Sequence, residues 1–170
     1  PTGVDPTESE WDQLRAVMKE RQLFPFFDNA YQAFVTGNPD TDAYAVRSFA
    51  ENGMDMIVAC SFAKNFGLYG ERVGCVHVVV PDPALVENVA SQLRVASRVL
   101  YSTCPTYGAR IVATILGDEI MNAQWRKDCM AMSTRLNNVR QALYEKLLEL
   151  NVKGTWSHVI KQRGMFTYSG

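Results

Sequence analysis

Charge of one sign is not in excess here: 17 Lys and Arg stand against 18 Asp and Glu in 170 residues, a formal net charge of −1. With no basic surplus to neutralise phosphates, binding to nucleic acid or to an anionic membrane surface is not expected. Long apolar runs are also missing, and no stretch approaches the ~20 residues of a membrane-crossing helix. Cysteine is scarce: Cys60, Cys75, Cys104 and Cys129 include no C-x-x-C pair, and only His77 and His158 could add imidazole ligands. That spacing predicts neither a zinc site nor a disulfide framework, and no metal is expected. The cysteines read as small buried hydrophobes in a reducing compartment. An initiator Met and a signal-type segment are absent too. The chain opens at Pro1 and stops after the strand-like run Met165–Tyr168, so it reads as a piece of a larger protein.

What is present is a core-forming composition. Hydrophobic residues make up 47% and charged residues 21%, which excludes disorder. Thr7 followed by Glu10 is a capping-box pattern, and Trp11, Leu14, Val17 and Met18 continue it at helical spacing to about Arg21. Leu23–Phe27 reads as a short buried strand ended by Asp28. Thr36-Gly37-Asn38-Pro39 is a turn cluster. A helix is predicted over Thr41–Glu51, closed by Asn52-Gly53. Met56–Cys60 reads as a second buried strand and the β-branched run Val73–Val80 as a third. Residues 82–97 are helical in pattern. From Glu119 to Leu150, Trp125, Cys129, Met132, Leu136, Val139, Leu143, Leu147 and Leu150 recur at steps of three and four, predicting one long amphipathic helix.

Helices alternating with buried strands predict an α/β fold with a mostly parallel sheet. In such sheets ligands lie outside the carboxyl ends of the strands, where Asp28 and Ser61 fall. Ser61-x-x-Lys64 and Arg72 combine an amine able to form a Schiff base with a hydroxyl and a guanidinium suited to a phosphate. A carboxylate such as Asp28 can keep a pyridine nitrogen protonated, and the Tyr31 phenol can reach the same ring. Together the five side chains meet the needs of pyridoxal 5′-phosphate. Spacing alone leaves open a solvated Lys64, a surface or ion-paired Arg72 and an ordinary post-strand turn at Asp28 and Tyr31.

Longer segments are more specific. Pro1-Thr2-Gly3-Val4-Asp5-Pro6-Thr7, Phe26-Phe27-Asp28-Asn29-Ala30-Tyr31-Gln32 and the run Ser61-Phe62-Ala63-Lys64-Asn65-Phe66-Gly67-Leu68-Tyr69-Gly70-Glu71-Arg72-Val73-Gly74 closely resemble the aspartate aminotransferase family. That family belongs to the class I aminotransferases of the fold-type I pyridoxal-phosphate enzymes. The resemblance runs through all 170 residues, including Gly108-Ala109-Arg110-Ile111 and Gly164-Met165-Phe166.

The resemblance implies a fragment of the fold-type I large domain over residues 1–118, a long interdomain helix over 119–150 and the beginning of the small domain over 151–170. It implies that Lys64 forms the Schiff base and shuttles the substrate proton, that Asp28 pairs with the pyridinium nitrogen and that Tyr31 bonds the ring oxygen. Ser61 and Arg72 match phosphate ligands. Arg98 matches an arginine that crosses the interface of a homodimer with shared active sites to hold the substrate's distal carboxylate. Phe166 matches a residue near the substrate carboxylate pocket, although a core Phe reads equally well there. The implied reaction is reversible amino transfer from L-aspartate to 2-oxoglutarate, in a cytoplasmic or mitochondrial protein. A fragment of this extent would hold half a site and be inactive alone.

Two readings compete: an aromatic or broad-range class I aminotransferase, and a non-catalytic paralogue keeping the fold as a binding module. Ser102-Thr103-Cys104-Pro105 departs from the Ser-Asn-Pro-Pro usual in the family, which bears on substrate range. Ala63 and Gly70 replace a common Ser or Tyr and a common Asn, and neither change removes a chemical group of the site.

Overall fold

The computed structural model describes residues 3–168. Helix α1 (Glu8–Glu20) starts at Thr7, whose side chain accepts from the Glu10 amide while the Glu10 carboxylate accepts from the Thr7 backbone. This is the capping box read from the sequence. Strand β1 spans Phe26–Asn29, α2 Tyr44–Glu51, β2 Met56–Ser61 and β3 Gly74–Val79. A 3-10 turn at Pro83–Leu85 leads into α3 (Val86–Leu100). Then come α4 (Tyr107–Gly117), α5 (Glu119–Glu149) and the short α6 (His158–Lys161).

The α/β class holds, but the expected mostly parallel sheet is mixed. Its order is β1-β2-β3, with β1 parallel and β3 antiparallel to β2. The connections give the reason. The β1–β2 segment includes α2, which provides the crossover that a parallel pair requires, whereas the β2–β3 segment 62–73 contains no helix and returns the chain directly.

The sheet packs on α1 and α2 around Phe49, Met54, Met56 and Val58. Trp11 of α1, Phe27 of β1 and Phe49 of α2 meet as three aromatic pairs with centroids 5.0–6.4 Å apart, two of them edge-on. Such pairs add to the burial itself. Because side chains alternate along a strand, Phe27 faces this core while Phe26 and Asp28 take the opposite face, where both are exposed.

Several boundaries moved. Asp28 lies within β1, in register with Ala59, and does not follow the strand. Leu23 and Phe24 precede it, exposed, after Gln22 in the left-handed region. Helix α2 starts at Tyr44, three residues later than expected, because the Asp42 carboxylate turns back to accept from the Val35 and Thr36 amides. Helix α4 was not expected. Its first turn carries no acidic residue, its last turn no basic one, and no side chain caps its start, so the local signals that mark a helix are missing. Met165–Tyr168 forms no strand. Arg140 takes the Gly164 and Phe166 carbonyls, and the Gln162 side chain takes that of Tyr168.

The long helix forms as predicted, but its apolar stripe is only partly buried: Cys129 is covered and Trp125, Leu136 and Leu147 are half-buried. Met132, Val139, Leu143 and Leu150 are exposed, while Cys129, Ser133 and Arg140 are buried. The polar residues on this face hold irregular chain. The Ser133 hydroxyl and the Asn137 amide donate to the Val35 carbonyl, and the Arg140 guanidinium donates to those of Gln162 and Gly164 at 2.7 Å each. The cysteines divide likewise: Cys129 is buried as expected, Cys60 and Cys75 are half-buried and Cys104 is exposed.

Candidate active site

The carboxyl ends of the parallel strands β1 and β2 lie side by side, with Asn29 in register with Cys60. Three sequence-predicted residues leave from these ends: Asp28 on β1, Tyr31 just beyond it and Ser61 as the last residue of β2. The segment 62–73 supplies Lys64 and Arg72 and is closed at its base by the Phe62 amide donating to the Val73 carbonyl at 3.1 Å.

Lys64 Nζ lies 5.1 Å from the centroid of the Tyr31 ring. It makes no hydrogen bond or ion pair among the described residues, and the face of the Tyr31 ring is its one partner-like contact there. Asn65 next to it is buried. Its carbonyl accepts from the Trp125 indole of α5 at 2.8 Å, and its amide donates to the Gln32 carbonyl beside Tyr31. The chain next to Lys64 is therefore anchored, while its amine has no hydrogen-bond partner among the described residues.

Burial pushes the Tyr31 phenol above its ordinary value, and the neighbouring Tyr69 and Asp28 charges push it further. The hydroxyl is thus held protonated, as a hydrogen-bond donor. Arg72 adopts a left-handed backbone conformation and donates one bond, at 3.1 Å, to the Tyr69 carbonyl. The rest of its fork is unused among the described residues. The Ser61 hydroxyl accepts from the Ala63 amide at the start of the same segment.

Helix α4 presses on the end of this segment. A Cβ at Gly108 would lie 2.9 Å from the Glu71 Cβ and 3.1 Å from the Val73 Cβ. Only a glycine allows that approach next to Arg72.

Phe166 comes to the same place from the far end of the chain. Its ring meets that of Tyr31 edge-on, centroids 6.1 Å apart. Together with Gly3, Val4, Asp5, Arg163 and Gly164 they line a cavity of about 240 Å³. Arg98 is not part of this group. It stands exposed in the last turn of α3, without a hydrogen bond or ion pair among the described residues.

Sequence reasoning missed the residues that hold this arrangement. Arg140, Trp125 and Asn65 anchor its two irregular segments, and Asp5 and Arg163 line the cavity. Burial raises the Asp5 carboxyl above its ordinary value, against the lowering effect of Arg163. An arginine inside the apolar repeat of α5 was the one available signal: Arg140 follows Leu136 by four residues, where a surface charge is not expected.

Residues 1–170 match the sequence model of the family described as aminotransferase class I and II. The chain belongs to that family.

The cytoplasmic aspartate aminotransferase of Caenorhabditis elegans is 47% identical over 170 residues, all of this chain and 42% of its own length. The aspartate aminotransferase of Trypanosoma cruzi superposes with a TM-score of 0.94 at 46% identity, over 99% of this chain and 43% of that one. An aromatic-amino-acid aminotransferase from Burkholderia pseudomallei, solved covalently bound to pyridoxal phosphate, gives 0.95 at 40% identity, over 99% and 42%. The chain thus spans about two fifths of the length of the relatives it matches.

Proposed function

We propose that this chain, within a polypeptide of its relatives' length, serves a pyridoxal-phosphate-dependent aspartate aminotransferase that moves the amino group of L-aspartate to 2-oxoglutarate. The observation that carries this reading is Lys64: its amine stands over the Tyr31 ring without a hydrogen-bond partner among the described residues, next to an anchored Asn65. The donor set around it fits the cofactor. Asp28 supplies an exposed carboxylate for a ring nitrogen, Tyr31 a protonated phenol for a ring oxygen, and Ser61 with the free side of Arg72 donors for a phosphate. When bound, the cofactor supplies an electron sink for the carbon that loses its proton. Lys64 acts as nucleophile towards the cofactor and then carries that proton as general acid and base. Tyr31 and Asp28 orient the ring, and Phe166 walls the substrate side.

Substrate carboxylates fall to Arg98, which would reach the shared site of a homodimer from one subunit to the other. Its exposure on α3 supports that reading, since such a residue must project from its own subunit. The division into large-domain residues 1–118, a connecting helix over 119–150 and the start of a small domain over 151–170 accompanies it. The cytoplasmic name of the Caenorhabditis elegans relative supports a cytoplasmic setting.

The test is Lys64→Ala in the full-length protein. Both the absorbance of the lysine-linked cofactor and aspartate turnover should be lost, the latter by several orders of magnitude. Retention of both overturns the assignment. A second reading is amino transfer from aromatic substrates, since the chain is as similar in fold to the Burkholderia pseudomallei aromatic enzyme as to the aspartate enzyme of Trypanosoma cruzi. Arg98→Ala separates the two, since it should damage turnover of aspartate far more than that of phenylalanine. Failure of the full-length protein to bind the cofactor would leave a non-catalytic binding module.

A further inference from the structure

Sequence spacing predicts no metal, because Cys60 and Cys75 lie 15 positions apart and form no ligand motif. The antiparallel pairing of β2 with β3 removes that separation. Cys60 and Cys75 are direct cross-strand partners, and His77 follows two residues on, opposite Val58. Strand alternation puts all three on one face of the sheet. Their ligand atoms, two Sγ and one imidazole nitrogen, lie within 4.8 Å of one another, and Cys75 Sγ is 3.1 Å from His77 Nε2.

We propose that Cys60, Cys75 and His77 form a binding site for a thiophilic divalent cation of the Zn²⁺ type. Two sulfurs and an imidazole are a soft donor set of the kind zinc selects over calcium or magnesium. With metal–sulfur bonds of about 2.3 Å and a metal–nitrogen bond of about 2.0 Å, the ligand atoms of a tetrahedral site stand about 3.5–3.8 Å apart. The three groups therefore need only small side-chain rotations to close on an ion. Coordination takes both thiols as thiolates and releases two protons to solvent. His77 is exposed while the cysteines are half-buried, so water reaches the fourth position. A disulfide would leave the imidazole unused, although it lies in hydrogen-bond contact with Cys75.

The location gives the site a consequence. Cys60 lies two residues before Phe62 and Cys75 two after Val73, so a bound ion clamps both ends of the segment that carries Lys64 and Arg72. The site itself does not depend on the proposed reaction, and its readouts do not use activity.

The experiment is titration of the reduced, cofactor-loaded full-length protein with Co²⁺ as a visible stand-in for Zn²⁺. One equivalent should produce thiolate-to-cobalt charge-transfer absorbance, and one equivalent of Zn²⁺ should abolish it. Cys75→Ser and His77→Asn should each weaken binding at least tenfold, and Cys104→Ser should leave it unchanged. His77 is exposed, so its variant tests the site without disturbing the core. Hydrogen exchange in residues 62–73 should slow with Zn²⁺ in the parent and not in Cys75→Ser. Absence of the charge-transfer band, its persistence in both ligand variants or its loss in Cys104→Ser overturns the site. Unchanged exchange with the band present overturns the clamp.

Discussion

Trp125 of the long helix donates its indole N–H to the carbonyl of Asn65 at 2.8 Å, one residue beyond Lys64 in the chain. The Phe66 ring stacks on the same indole, 4.7 Å between centroids and 13° from parallel. One side chain of α5 thus fixes the segment that aims the amine. Trp125→Phe keeps the stacking and drops the hydrogen bond, so it should cost about 1 kcal/mol of stability and lower kcat several-fold with little change in KM. Thermal melts and steady-state kinetics of the full-length protein check both.

Arg140 does the equivalent work at the other segment. Its fork holds the Gln162 and Gly164 carbonyls at 2.7 Å and that of Phe166 at 3.2 Å, which seats Phe166 on Tyr31. A lysine cannot reproduce this geometry. Arg140→Lys should destabilise by about 1–3 kcal/mol and raise the KM for aspartate, because Phe166 loses its backing. A variant with unchanged melting temperature and KM would show that the segment holds itself.

Asp40 links α2 to α5. It accepts from Arg126 and from Arg47 at 2.7 Å each, and these bonds, that from Arg126 first, hold its carboxyl below the ordinary value of 3.8. A depressed folded-state pKa stabilises fully above that ordinary value, and the stabilisation disappears as pH falls through the folded-state value. Asp40→Asn should therefore lower stability near neutrality by up to about 1 kcal/mol for these exposed pairs, and reduce the further loss on acidification below pH 4. Denaturant melts across pH 2.5–7 read out the difference, which high salt should shrink.

Gly108 tests the packing beside Arg72. A methyl group there meets the Glu71 and Val73 side chains within 2.9–3.1 Å. Gly108→Ala should force α4 away from the segment, weakening phosphate-dependent cofactor retention about tenfold while α4 itself gains helix propensity. Equilibrium dialysis of the cofactor measures the first effect.

Local patterns were legible where a local cause sets them. The Thr7–Glu10 capping box began α1 where it reads, and three- and four-residue spacing gave α5 its length. The Ser61–Gly74 run located the lysine segment because its identity does not depend on contacts. Helix α4 lacked the capping side chain and the charged first and last turns that mark a helix locally, and the start of α2 depended on Asp42 turning back to Val35 and Thr36. The face that α5 buries departs from its apolar stripe at Ser133 and Arg140, because polar groups there serve the carbonyls of distant loops.

By itself, then, the sequence determined which side chains are available for chemistry, because a residue type carries its functional group wherever it lies. It also determined where the strongly capped or periodic elements run. Tertiary structure alone decided that Tyr31, Lys64 and Phe166 share one neighbourhood, that Arg98 stands apart from it, and that Cys60 and Cys75 face each other. Those relationships rest on strand pairing and on hydrogen bonds between residues far apart in the chain, such as Arg140 to Gly164 and Trp125 to Asn65, and separation along the chain carries no record of them.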